Sequence, residues 1–286
     1  AFLAFALDLL ASNQRLDRDA ALEALVERPL AGVRDAMRAL YIDLHAARPK
    51  SDRGGDQRVA ILRYLIQDPQ SGDAQVALYA SETVEADAQG EDSTYNLRLL
   101  GLRLLAHITP PDVLRYYAVE HIDDVSIHAG EPAVTAIQLL ADTGSYVALY
   151  QWLLGAGRES PNLLAAFEAF TAAPPEIVQR YIEREIASAV LRKDEAACTV
   201  FAEAIVKLEL ERTYPALASM MAAKISDELY GYLAVLIAAT NRPPLLAILN
   251  DQLQPGGQNS LIVAALRVRT TPEQQAILDR WERRGD

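Results

Sequence analysis

The chain has 286 residues, of which 51% are hydrophobic, and its 27 Lys and Arg against 39 Asp and Glu give a formal charge of −12. This negative field repels nucleic acid and anionic membranes, so the composition argues against both as partners. The one cysteine excludes an intrachain disulfide and a cysteine-based metal site, and it fits a reducing, cytoplasmic compartment.

The N-terminal part predicts three helices, at about residues 1 to 12, 17 to 28 and 30 to 47. The first is too short to cross a membrane and has no basic residues before it, unlike a signal peptide. Because its apolar surface needs a cover, we expect the chain to belong to a larger protein or complex. The polar, glycine-bearing stretch 48–55 predicts a linker. It separates an N-terminal helical cap, residues 1–52, from the rest of the chain, residues 53–286.

Residues 53–286 predict an array of about six to seven helix pairs, because turns that contain threonine recur about every 27 to 42 residues. These turns contain Thr109, Thr143, Thr171, Thr213, Thr240 and Thr270. The predicted first helices lie near 57–67, 95–107, 131–141, 162–172, 195–209, 227–239 and 259–269. The second helices lie between a turn at 68–72 and about 84, and near 111–121, 145–155, 175–190, 214–224, 243–253 and 272–284. Such short links make neighbouring helices antiparallel.

The turns have the residues that helix ends require. Proline ends one helix and can occupy the first position of the next, as in Pro110-Pro111 and Pro174-Pro175. In another turn, Gly144 is expected to end one helix in the left-handed conformation and Ser145 to cap the next with its side chain.

Residues 133–144 (AVTAIQLLADTG), followed by 147–154 (VALYQWLL), resemble a short bacterial HEAT repeat, and residues 96–119 follow the same pattern. The resemblance implies an all-α fold: a right-handed superhelical α-solenoid of antiparallel helix pairs whose second helices line the concave face. The second helix of such a repeat usually begins with Asp and a Val-Arg or Val-Lys pair. Only Asp112-Val113-Leu114-Arg115 approaches this pattern, so an armadillo-like solenoid is an alternative to a HEAT-like one.

A solenoid with no catalytic motif indicates a non-enzymatic scaffold that binds a protein or peptide on its concave face, with no cofactor and no metal. Tyrosine offers a broad contact area with a polar tip, so the second helices supply the candidate partner-binding residues. These are Arg115, Tyr116, Tyr146, Tyr150, Gln151, Gln179 and Arg180. Tyr117 and Tyr181, one helical step away, are expected to be buried.

The main alternative is an enzyme or nucleic-acid-binding module on the same solenoid. Alkylpurine DNA glycosylases resemble HEAT solenoids and use a basic, aromatic-lined concave face. The residues that could form a basic strip here are Arg98, Arg103, Arg115, Arg280, Arg283 and Arg284. The predicted second helices also carry acidic residues, which disfavour phosphate binding.

A histidine-containing segment and the single cysteine could each have a chemical role, but a structural role explains each of them as well. His121 and His128 lie in an acidic segment that could furnish a zinc or iron site, but they lack the spacing of two ligands on one helix face. The favoured interpretation is a solvated connection, in which alanine at both histidines leaves stability nearly unchanged. Cys198 lies among small apolar residues and is expected to fill the core rather than act as a nucleophile.

Overall fold

The computed structural model describes residues 2–47, 52–86, 89–124, 130–155, 161–253 and 259–285. These residues form 17 α-helices and no β-strand, with one isolated bridge between Ala86 and Asp92. The predicted all-α class is confirmed for this part of the chain.

Contacts between Cα atoms divide the chain into two compact units, Ala1–Asn162 and Leu163–Asp286. The helices of the first unit are α1 Phe2–Leu10, α2 Arg15–Glu27, α3 Arg34–Ala47, α4 Asp56–Ile66, α5 Ala74–Ser81, α6 Tyr95–Ile108, α7 Pro111–Glu120, α8 Ala133–Asp142 and α9 Tyr146–Leu154. Those of the second unit are α10 Leu163–Phe170, α11 Pro175–Arg192, α12 Glu195–Lys207, α13 Tyr214–Ala222, α14 Asp227–Thr240, α15 Pro243–Gln252, α16 Asn259–Val268 and α17 Pro272–Gly285.

In the first unit, one hydrophobic cluster extends from Ala6 in α1 to Leu114 in α7. It includes side chains from both sides of residue 52, among them Tyr41 and Ile61, and the domain boundary predicted there stays a prediction. Helices two positions apart in the chain contact each other: α2 with α4, α4 with α6, α6 with α8, and α3 with α5.

The second unit repeats this pattern of contacts. Helix α10 contacts α12, α12 contacts α14 and α14 contacts α16, while α11, α13, α15 and α17 contact one another in the same sequential way. An aromatic cluster lies in its core, where the rings of Phe167, Phe170, Tyr181 and Phe201 have centroid separations between 5.5 and 6.1 Å. These distances suit edge-on aromatic packing.

Proline and short polar side chains explain where helices begin. Helices α7 and α11 begin at Pro111 and Pro175, as predicted, because the first helical position needs no N–H donor. Asp194 accepts a hydrogen bond from the Ala197 N–H at 3.0 Å and so caps α12. Ser226 accepts one from the Leu229 N–H at 3.1 Å and caps α14.

The turn between α8 and α9 differs in part from the expectation. Gly144 has a φ of 69°, which confirms the left-handed conformation. The predicted side-chain cap is wrong, because no N–H of α9 donates to the Ser145 hydroxyl. The Ser145 backbone carbonyl accepts the N–H groups of Ala148 and Leu149 instead.

Candidate functional site: a groove between helices α7 and α9

An open groove of about 690 Å³ lies in the first unit, with walls from α7 and α9 and a floor that includes buried Leu140 of α8. On α7 the lining positions are 112, 115, 116, 119 and 120, a spacing of three and four residues that places them on one helix face. On α9 the lining positions are 147, 148 and 151. The groove is thus formed by one face of each helix.

The groove exposes large apolar side chains to solvent. Tyr116 is 75% exposed, Val119 48% and Val147 72%, and all three line this one cavity. Apolar side chains scattered singly over a surface are ordinary, whereas several around one concavity mark a surface suited to a partner.

Arg115 fixes the geometry of the groove. Its Nη2 donates to the Thr143 carbonyl oxygen at 2.6 Å, which ties α7 to the turn between α8 and α9. Its Nη1 donates to Asp112 Oδ1 at 2.8 Å. Both terminal nitrogens of the guanidinium therefore donate to protein groups, and one of these groups is the carboxylate of Asp112. The buried Nε has no hydrogen-bond partner among the described residues.

The structure brings together three of the seven predicted partner-binding residues: Arg115, Tyr116 and Gln151 line the groove. Tyr146 and Tyr150 are half-buried on α9 and do not line it. The predicted set did not include Val119 or Val147, because it was limited to tyrosine and polar side chains of the second helices. Helical spacing from Tyr116 would have found Val119.

The other two predicted residues belong to the second unit. Gln179 lies on α11, donates to Glu183 Oε1 at 2.7 Å and lines a separate cavity of about 360 Å³. Arg180 is exposed on the same helix. One continuous strip through all seven residues stays a prediction. Of the two tyrosines expected to be buried, Tyr181 is fully buried, but Tyr117 is only half-buried against the core of the first unit.

The first unit also contains buried ion pairs, which no sequence pattern predicted. Arg58 is fully buried, and its Nε donates to Asp52 Oδ2 at 2.9 Å. Its Nη1 and Nη2 donate to the two carboxylate oxygens of Glu85 at 2.8 and 2.9 Å. Asp52 also accepts the N–H groups of Gln57 and Arg58 and so holds the start of α4.

Arg98 forms a second buried group, so it is not available for the basic strip considered above. Its guanidinium is paired with Asp92 and with Asp124, and Nη1 donates to the Thr83 carbonyl at 2.9 Å. Burial raises the pKa of the Asp124 carboxyl, but hydrogen bonds from His121 and Arg98 outweigh this effect and hold the pKa below its usual value. The group joins the connection after α5 to the one after α7, which is a structural role.

His121 is buried, and its Nδ1 lies 3.1 Å from Asp124 Oδ2. The interpretation of this segment as a solvated connection is therefore wrong at His121, because the ring packs inside the fold and is held by a carboxylate. His128 lies outside the described residues. Within the described ranges, no group of three or more His, Cys, Asp or Glu side chains is placed to hold a metal ion.

Cys198 is buried in α12, and burial raises the pKa of its thiol to about 11. A thiol with so high a pKa is almost wholly protonated near neutral pH and is a poor nucleophile. The core-filling interpretation is confirmed.

Comparison with models of known protein families, with curated proteins and with solved structures gives no match to this chain. The helices of the described ranges include none that is both long and apolar enough to span a bilayer.

Proposed function

We propose that this protein is a non-enzymatic interaction scaffold whose groove between α7 and α9 binds a segment of a protein partner. The observation that carries the proposal is the exposure of Tyr116, Val119 and Val147 around one cavity. Truncation of such apolar anchors typically costs more binding energy than truncation of the polar rim around them. Gln151 and Arg115 supply polar groups at the rim.

We further propose that the helices form a right-handed HEAT-like solenoid within which the groove is one local surface. Contacts between helices two positions apart, in each unit taken by itself, support a stack of helix pairs. Residence in the cytoplasm stays an expectation from the single cysteine.

The nucleic-acid alternative has weaker support. Arg98 is buried in ion pairs, and Arg115 is paired with Asp112. Arg280 and Arg283, both exposed on α17, direct their Nε atoms to backbone carbonyls of their own helix. Phosphate recognition needs a cluster of cations with free donors, and the α7–α9 groove does not offer one.

The proposal is tested by selecting binders from a random linear peptide library displayed on phage. Peptides that bind the protein are synthesised, and their affinity is measured for the parent chain and for a Tyr116→Ser, Val147→Ser variant. Both side chains are exposed, so the variant keeps the fold. We expect at least about a tenfold loss of affinity, because each change removes an anchor from the groove.

The matched control is a Leu191→Ser, Val268→Ser variant. It also removes two exposed apolar side chains, 85% and 75% exposed, but from the second unit. It should bind the selected peptides as the parent chain does. Peptides that tolerate the groove variant and lose affinity for the control variant would contradict the proposal.

A further inference from the structure

The groove lies in a part of the chain that has almost no positive charge. The sequence contains no Lys or Arg from residue 116 to residue 157, which covers most of α7 and all of α8 and α9. The same stretch contains Glu120, Asp123, Asp124, Glu131 and Asp142. Of these, Asp124 is neutralised by Arg98, and the others have no ion-pair partner among the described residues.

Two carboxylates stand at the ends of the groove face of α7. Asp112 and Glu120 both line the cavity and are exposed, and eight residues of helix separate them by about 12 Å along the axis. Asp112 is paired with Arg115, whereas Glu120 has no such partner in the described chain. Glu120 also occupies the last turn of α7, where the helix dipole adds negative potential.

Asp123 extends the negative region beyond the end of α7. Its Oδ1 accepts a hydrogen bond from Trp152 Nε1 at 2.5 Å, which joins the connection after α7 to α9, and the residue is exposed. One end of the groove therefore has Glu120 in its lining and Asp123 just beyond it in the chain, and neither carboxylate has an ion-pair partner among the described residues.

We propose that the occupant of this groove is a basic amphipathic segment of a protein, with apolar side chains against Tyr116, Val119 and Val147 and Lys or Arg beside Glu120. This inference rests on the proposed function. Opposite charge at a groove rim accelerates association and selects among partners that bury similar apolar area. A neutral or acidic segment of the same apolar pattern would leave Glu120 unpaired or repelled.

The test uses one peptide from the display selection whose binding is lost in the Tyr116→Ser, Val147→Ser variant. It is synthesised in three forms that carry Lys, Gln or Glu at the polar positions. We expect the Lys form to bind at least about tenfold more tightly than the Gln form at 50 mM salt, and this advantage to shrink at 500 mM salt as the charges are screened. The Glu form should bind most weakly.

Reversing the charge of Glu120 shows whether the dependence of affinity on peptide charge arises in the groove. Glu120→Lys should weaken the Lys form by several-fold and strengthen the Glu form. Glu27→Lys is the matched control, since Glu27 is also an exposed glutamate in the last turn of a helix in the first unit, but it lies on α2, which packs on α1 and α4, and it does not line the groove. It should change either affinity less than about twofold, because an exposed charge outside the binding surface is screened.

Each remaining outcome has a distinct meaning. Equal affinities of the Lys and Gln forms, or equal effects of Glu120→Lys and Glu27→Lys, would overturn the inference while the groove still binds peptide. A selection in which no peptide depends on Tyr116 and Val147 would overturn the proposed function and this inference with it.

Discussion

Replacing Arg58 with Met should strongly destabilise the first unit. The change removes a fully buried guanidinium and keeps much of its apolar stem, so lost packing contributes little. It leaves the carboxylate of Asp52, which is fully buried, and that of Glu85, which is 9% exposed, without their cation. Uncompensated buried charge is among the costliest local defects in a folded protein.

The expected size of the effect follows from the contacts that remain. Removal of one partner of a buried ion pair typically costs about 3 to 5 kcal/mol. Asp52 retains two backbone N–H donors, from Gln57 and residue 58, so the lower end of the range applies. We expect a loss of about 3 kcal/mol in the free energy of unfolding. Changing Glu85 to Gln in the Arg58→Met background should recover part of this loss, because it removes one unpaired charge.

Urea unfolding followed by tryptophan fluorescence measures this loss. The chain has two tryptophans, Trp152 in the first unit and Trp281 in the second, so a Trp281→Phe background reports on the first unit alone. Arg63→Met is the control, an exposed arginine on the same helix whose loss should cost no more than about 0.5 kcal/mol. Equal losses for Arg58→Met and Arg63→Met would refute the stabilising role of the buried pairs.

Three further predictions concern stability. Gly101→Ala should destabilise by about 1 to 3 kcal/mol, since its Cβ would lie 2.6 Å from a backbone nitrogen of α5. Gly231→Ala, whose Cβ meets nothing closer than 3.7 Å, should stabilise by up to about 1 kcal/mol. Gly231 lies in the second unit, so its urea unfolding is followed by Trp281 fluorescence in a Trp152→Phe background, and the opposite order of the two glycine variants would contradict the helix packing. His121→Ala should cost about 1 to 3 kcal/mol through the lost contact with Asp124, and an unchanged urea midpoint would show that this contact does not stabilise the fold. Burial raises the pKa of Asp73, but hydrogen bonds, chiefly from Arg34, outweigh this effect and hold the pKa below its ordinary value of 3.8. The ionised carboxylate therefore stabilises the fold above pH 3.8, and this stabilisation is lost as the pH falls below that value. Asp73→Asn should therefore flatten the decline in urea midpoint between pH 5 and pH 2, and an unaltered decline would show that this carboxylate does not contribute.

Most of the helices could be predicted from the sequence, because local chemistry determines where they begin and end. Prolines at the first helical position and apolar residues at helical spacing placed most helix ends within a few residues of those observed. The helix predicted to extend to about residue 84 ends at Ser81 instead. Thr83 accepts a hydrogen bond from buried Arg98, so contacts from elsewhere in the chain fix the backbone there.

The buried ion pairs could not be predicted from local sequence patterns, because the partners lie far apart in the sequence. Arg58 reaches Glu85, and Arg98 reaches Asp124, only after the helices have packed. The sequence does contain one indication of these ion pairs. Both arginines occupy positions on the apolar faces of their helices, where an unpaired charge is costly and a partner must therefore be supplied. The candidate site was predicted in part, since the sequence indicated Arg115 and Tyr116 on α7 and Gln151 on α9 but not the exposed valines Val119 and Val147.

Hydrogen exchange with mass spectrometry tests the central claim most directly, by comparing the free protein with its complex with the Lys form of the selected peptide. The account predicts slower exchange in residues 111–120 and 146–154, which form the walls of the groove, and no such change in the Tyr116→Ser, Val147→Ser variant. Slower exchange confined to helices of the second unit, with α7 and α9 unaffected, would contradict it.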